Sequence, residues 1–166
     1  MSSLVGFREA IALEVEKFSG LKVISRVAAG DVSIADYHRV LIALFHQVRN
    51  SSSSFSLAAA TCQDDRYEIK SYLMHHADEE KDHWQWILDD LRATNYDGPS
   101  PISIRPHWTA AAYVAYNYHV ASTYPLGRLG IAAMLETVAA RLGETLALRL
   151  CRALGLTAGQ ASFFMS

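Results

Sequence analysis

The stretch His75-His-Ala-Asp-Glu-Glu-Lys-Asp-His-Trp-Gln-Trp-Ile87 decides the reading of this chain. On a helical wheel at roughly 100° per residue, centred on Glu80, the residues Ile69, Leu73, Trp84, Ile87 and Leu91 fall within about 40° of the centre. His76 and His83 lie within about 60° on one flank, while Asp78, Lys81, Asp82, Gln85 and Asp89 take the opposite side. This is the pattern of an amphipathic helix, expected from about Asp65 to Thr94. A carboxylate, Glu80, occupies the middle of its apolar stripe. Burying a carboxylate is costly unless it is neutral, paired or bound to a metal. Glu80 and His83 stand at i and i+3 and so reach one ion from one face, and Glu-x-x-His is a recurrent helical metal pair. His76 sits about 10 Å along the axis from His83. It reads as a core histidine hydrogen-bonded to the site, whereas Glu79, Lys81 and Asp82 read as a solvated charge run.

The same periodicity extends in both directions, and no segment alternates with period two, so the class is all-α: one domain of about six to seven helices over residues 1–166. A first helix is expected from Leu4 to Phe18, with Phe7, Ile11, Leu13, Val15 and Phe18 as its apolar face and Gly20 as its end. Leu21 to Asp31 reads as loop or a short turn. Ser33 is positioned to cap a second helix that runs through Val40, Leu41, Leu44, Phe45 and Val48. The serines from Ser51 to Ser54 read as a kinked continuation of it. After Asn95-Tyr-Asp-Gly-Pro99 and an extended crossover, helices are expected at His107 to Ser122, Leu126 to Leu142 and Glu144 to Leu154. Gly155 is then a stop, and Thr157 opens a last helix.

Hydrophobic residues make up 51% and charged residues 19%, which favours a large core or a buried interface such as a homodimer's. The net charge of -2 and the absence of a basic stripe argue against nucleic acid as a partner. The N-terminus has no secretion signal, and no apolar run approaches the roughly 18 residues of a membrane span, so a cytoplasmic, membrane-independent protein is expected. Cys62 and Cys151 read as reduced, packed thiols without the spacing of a zinc site.

A second chemical signal is Glu136, the only acidic residue between Asp97 and Glu144. Its helix face carries Leu129, Ala132, Ala133, Ala140 and Gly143, small enough to let another helix approach, so this helix is expected to be among the most buried. A carboxylate there needs a partner: either an arginine such as Arg128 or Arg141, or a metal shared with Glu80 and His83. No other glutamate is followed by histidine three residues on, which leaves a ferritin-type second motif absent. Tyr113, Tyr116, Tyr118 and His119 cluster on one helix and are candidates to line a pocket for a small-molecule substrate.

Glu80-Lys-Asp-His83 on one core helix and Glu136 on a later one, within an all-helical chain, resemble the heme-oxygenase-like diiron oxidases. That fold is shared with heme oxygenases and with the thiaminase-II and pyrroloquinoline-quinone-synthase groups. The resemblance implies a heme-oxygenase-like helical bundle, two iron ions, O2 as co-substrate and a non-heme oxidase or oxygenase acting on a small organic metabolite. Glu80, His83 and Glu136 would be metal ligands, with His76, Tyr113, Tyr116 and His119 around them. It also implies a His-x-x-x-Asp-x-x-His group some 30 residues beyond Glu136, which falls just past Ser166, so the C-terminal ligand helix is expected outside these 166 residues. Two alternatives stand beside it. One is a cofactor-independent enzyme of the same fold that does acid-base work. The other is a non-enzymatic helical binding or dimerisation module.

Overall fold

The computed structural model describes residues 3–165; Met1 and Ser2, read above for a targeting signal, and Ser166 lie outside the described residues. Among the described residues there are helices and no strand. The helices are α1 Ser3–Ser19, α2 Lys22–Ala29, α3 Ile34–Val48, α4 Ser51–Thr61, α5 Tyr67–Glu79, α6 His83–Ala93, α7 Trp108–Thr123, α8 Pro125–Val138, α9 Glu144–Leu154 and α10 Ser162–Met165. None of them is long and apolar enough to cross a membrane. The helices divide between two compact units, residues 35–130 and residues 1–34 with 131–166.

The unit of residues 35–130 is built on α4, which packs against both α5 and α7. Small residues explain the central place of α4: Ala58 and Ala59 are buried, and Ser54 needs no more room than they do. Phe45, Phe55, Leu41, Leu73 and Ile87 fill the core, each almost fully buried. Polar bonds set the register. The Thr61 hydroxyl donates to the Ala121 carbonyl at 2.6 Å and so ties the end of α4 to α7. Tyr37 donates to the fully buried Asp90 at 3.2 Å, and the ring Nε2 of His38 meets the Thr94 hydroxyl at 2.9 Å, which fastens α3 to α6. The serine segment does continue the preceding helix with a kink, at Arg49 and Asn50, where the Asn50 amide donates to the His46 carbonyl at 2.7 Å.

In the other unit, α2 packs on α9. This corrects the expectation of a loop from Leu21 to Asp31. Gly30 takes φ +72° and stops α2, and the backbone N–H of Asp31 returns to the Arg26 carbonyl, a closure that lets an eight-residue helix end cleanly. Gly155 repeats the device after α9 with φ +67°, as the sequence suggests, and Leu156 N–H bonds back to Cys151. Of the five apolar residues assigned to the buried face of α1, only Val15 is buried, while Phe7 and Leu13 are about half exposed. Both cysteines are buried, as expected, and form no disulfide.

Two helices depart from their sequence reading for one reason: a change of helical period. The expected helix from Asp65 to Thr94 is broken by a 3₁₀ turn at Glu80–Asp82. The tighter turn frees the Lys81 carbonyl, which takes a bond from the Trp84 indole at 2.9 Å. The expected helix from Leu126 to Leu142 passes into a π turn at Ala139–Gly143. There each residue advances by less than 100°, so Gly143 no longer shares a face with Glu136. In α8 only Arg128 and Ala132 are buried, so this helix is not among the most buried, contrary to expectation.

Candidate functional site

The candidate site lies within residues 35–130, at the break between α5 and α6. Because the turn at Glu80–Asp82 is tighter than an α-helix, it offers Glu80 to side chains from both flanking helices. One carboxylate oxygen lies 3.4 Å from His83 Nδ1, and the other lies 3.7 Å from His76 Nε2. The Glu80 side chain is about one-fifth exposed and His76 about one-eighth, so the cluster is shielded but not sealed. His76, four residues before Glu80, is thus its neighbour as His83 is three residues after it, the two spacings that bring side chains together on one helical face.

Stacked rings extend the cluster. The His83 ring stacks on Trp86 with centroids 4.6 Å apart, and His76 stacks on Tyr72 at 5.8 Å. The Phe55 ring meets His76 edge-on at 4.4 Å. Phe55 carries the guanidinium of Arg128 over its face, with Cζ 3.5 Å from the ring centroid. Arg128 Nε donates to Ser54 Oγ at 3.0 Å. Burial pushes the Arg128 pKa down from its ordinary value, with the nearby Tyr113 and the charge of Glu80 opposing. The Tyr113 phenol is pushed up by its own burial, with Arg128 opposing. Its hydroxyl therefore stays protonated well above neutral pH.

Sequence-derived candidates fare unequally in this geometry. Glu80, His83 and His76 are brought together, and Tyr113 faces the same interior. Tyr116 and His119 do not line it: Tyr116 is 58% exposed and His119 is also exposed. The inward face of α7 runs through Tyr113, Asn117, Val120 and Ala121, spaced four, seven and eight residues from the first, and Tyr116 and His119 fall off that stripe. Glu136 belongs to the other unit, and its side chain is exposed, against the buried position expected. A buried pair of Glu136 with an arginine is likewise not what the structure holds, since Glu136 is exposed and so is Arg141. Among the described residues no group of three or more His, Cys, Asp or Glu is arranged to hold a metal ion.

Sequence reasoning missed Asn117 and the placement of Arg128. Both had a signal. Asn117 stands one turn from Tyr113 and one from Val120 and Ala121, and Arg128 is the one cation in the small-residue segment from Pro125 to Ala133.

No family model matches the chain, and no curated protein matches it. A solved structure does: the crystal structure of a domain of unknown function from Shewanella denitrificans OS217, described as having a heme oxygenase-like fold. The two superpose with a TM-score of 0.90 at 22% sequence identity, over 99% of this chain and 72% of that one. Helices throughout, an interior polar cluster on a core helix pair and this superposition agree: the chain has a heme oxygenase-like fold.

Proposed function

We propose that the chain is an enzyme that oxidises a small organic molecule with O2, at a non-heme iron centre held in part by Glu80 and His83. The observation that carries the reading is the Glu80 carboxylate set at a helix break with an imidazole against each oxygen, at 3.4 and 3.7 Å. Carboxylate and imidazole are donor types that suit iron, and their presentation from adjacent turns fits a two-ligand half of a site. Other ligands must complete it, because no group of three or more such residues is assembled among the described residues.

A bound iron would supply the Lewis acidity and the electrons for dioxygen chemistry. The protein's own contribution begins with orientation: His76 and His83 face different oxygens of Glu80 and so fix the plane of the carboxylate. Phe55 covers His76 on one side and keeps water from it. Tyr113, kept protonated by burial, is a hydrogen-bond donor on the same interior. A second reading, acid-base catalysis without a metal, draws on the same contacts, because a carboxylate between two imidazoles also holds and passes a proton.

The test is dioxygen consumption by protein loaded anaerobically with ferrous iron. The wild type is expected to consume O2 in proportion to iron bound, and Glu80→Gln to lose that uptake. Iron-independent turnover of an organic substrate by the wild type, lost in Glu80→Gln, would favour the acid-base reading.

A further inference from the structure

Of the described α-helices longer than four residues, only α4 and α7 contain no Asp, Glu, Lys or Arg. A helix with one face in water normally carries charged residues on that face. For α4 the lack of charge follows from its place, because α5 and α7 both pack on it. For α7 it does not. Trp108, Ala112, Ala115, Tyr116, His119 and Thr123 are all exposed and lie within about 60° of one line along the helix, opposite the inward stripe. Trp108 is 73% exposed and Tyr116 58%. Aromatic side chains set among small residues, with no charge between them, make up the core of a protein interface rather than a solvated surface.

The order of the side chains says what covers this face. The midpoint of α7 falls between Ala115 and Tyr116. When two copies of the helix lie antiparallel about a twofold axis through that midpoint, Trp108 comes opposite the partner's Thr123, Ala112 opposite the partner's His119, and Ala115 opposite the partner's Tyr116. Each large side chain then meets a small one, as facing helices require to interdigitate. Because the face holds no charge, the twofold brings no like charges together. A 16-residue helix is about 24 Å long and about 10–12 Å across, so half its surface comes to about 400 Å². Two such faces bury about 800 Å² between them, the size of a weak, reversible association.

We propose that the outer face of α7 is a homodimer interface, on which a second copy of this chain packs antiparallel about Ala115. Both faces of α7 are then covered, and the inward one carries Tyr113 and Asn117. The contact does not depend on iron, and its test is separate from that of the oxidase reading.

The test is sedimentation of the full chain, free of added metal, from about 1 µM to about 1 mM, a range that spans the Kd of a weak dimer. The mass should rise with concentration from 18.4 kDa towards twice that value. Ala115→Glu puts two carboxylates beside the axis and should weaken the association at least about tenfold. Ser71→Glu adds the same charge to the exposed face of α5 and should leave it unchanged. Should Ala115→Glu fail to fold, Ala115→Cys carries the test: mild oxidation should link two chains through this residue. A monomer at every concentration, a dimer that Ala115→Glu leaves intact, one that Ser71→Glu disperses equally, or an Ala115→Cys protein that forms no linked dimer overturns the proposal.

Discussion

Replacing Phe55 with leucine removes the ring that lies between Arg128 and His76 while keeping an apolar side chain in the core. Phe55 is 1% exposed and Arg128 3%, with 3.5 Å between Cζ and the ring centroid. Cation–π contacts are worth about 0.5–1 kcal/mol at exposed sites and about 2 kcal/mol or more when desolvated, so this pair belongs at the upper end. Lost packing adds about 1 kcal/mol, well short of the about 3–5 kcal/mol of a Phe→Ala truncation. Phe55→Leu should therefore cost about 3 kcal/mol, or a fall in Tm of about 6–12 °C for a chain of this size. The diagnostic quantity is the coupling. Arg128→Met preserves the length of the side chain and removes its charge, so a cycle of the two single variants and the double variant isolates the contact. Urea melts in one buffer should give a coupling of about 2 kcal/mol, the double variant being less destabilised than the sum of the singles. A coupling under about 0.5 kcal/mol would refute the packing of Arg128 on Phe55, and with it the geometry of the site's interior wall.

Other perturbations test the frame that holds the site. Tyr37→Phe removes the hydroxyl that donates to the fully buried Asp90 and should cost about 1–3 kcal/mol in a urea melt. Gly155→Ala places a Cβ at φ +67° and should cost about 1–2 kcal/mol, detectable as a lower Tm. Burial lowers the pKa of His38 and His46 below 6.5, with Asp97 opposing at His38 and Arg49 adding to the effect at His46. The folded chain thus takes up these protons at lower pH than the unfolded chain does. Their contribution is fully present above about pH 6.5 and is lost as pH falls through the lowered values. Melts from pH 7.5 to 5 should show this loss, and replacing both histidines with glutamine should flatten it.

Helix content was legible because period and punctuation are local. Gly155, the Asn95-to-Pro99 break and the kink at Asn50 could all be read from single residues whose backbone preferences leave few options. What the sequence concealed came from changes of period. No residue type announces the 3₁₀ turn at Glu80 or the π turn at Ala139, and a wheel drawn at constant pitch carries an error past each of them. Glu80 and His83 are neighbours across i and i+3 in either geometry, so their pairing survived the break. Glu136 was placed inward partly by Gly143, which the π turn carries off its face, and its side chain is exposed. Residue type misled where face should have decided: tyrosines and a histidine drew attention to Tyr116 and His119, while Asn117, on the inward stripe, carries an orphaned polar atom. Arg128 was considered only as a partner for Glu136, because a buried cation without a carboxylate is rare enough that sequence reasoning does not propose one.

The central claim concerns Glu80 and His83, and equilibrium dialysis against ferrous iron under anaerobic conditions tests it most directly. Wild type, Glu80→Gln and His83→Ala would be compared side by side, with folding checked by circular dichroism. The account predicts that wild-type protein retains iron and that each variant binds it at least about tenfold more weakly, no less than the loss of an outer-shell partner produces. Equal retention by all three proteins, or none by the wild type, would contradict it.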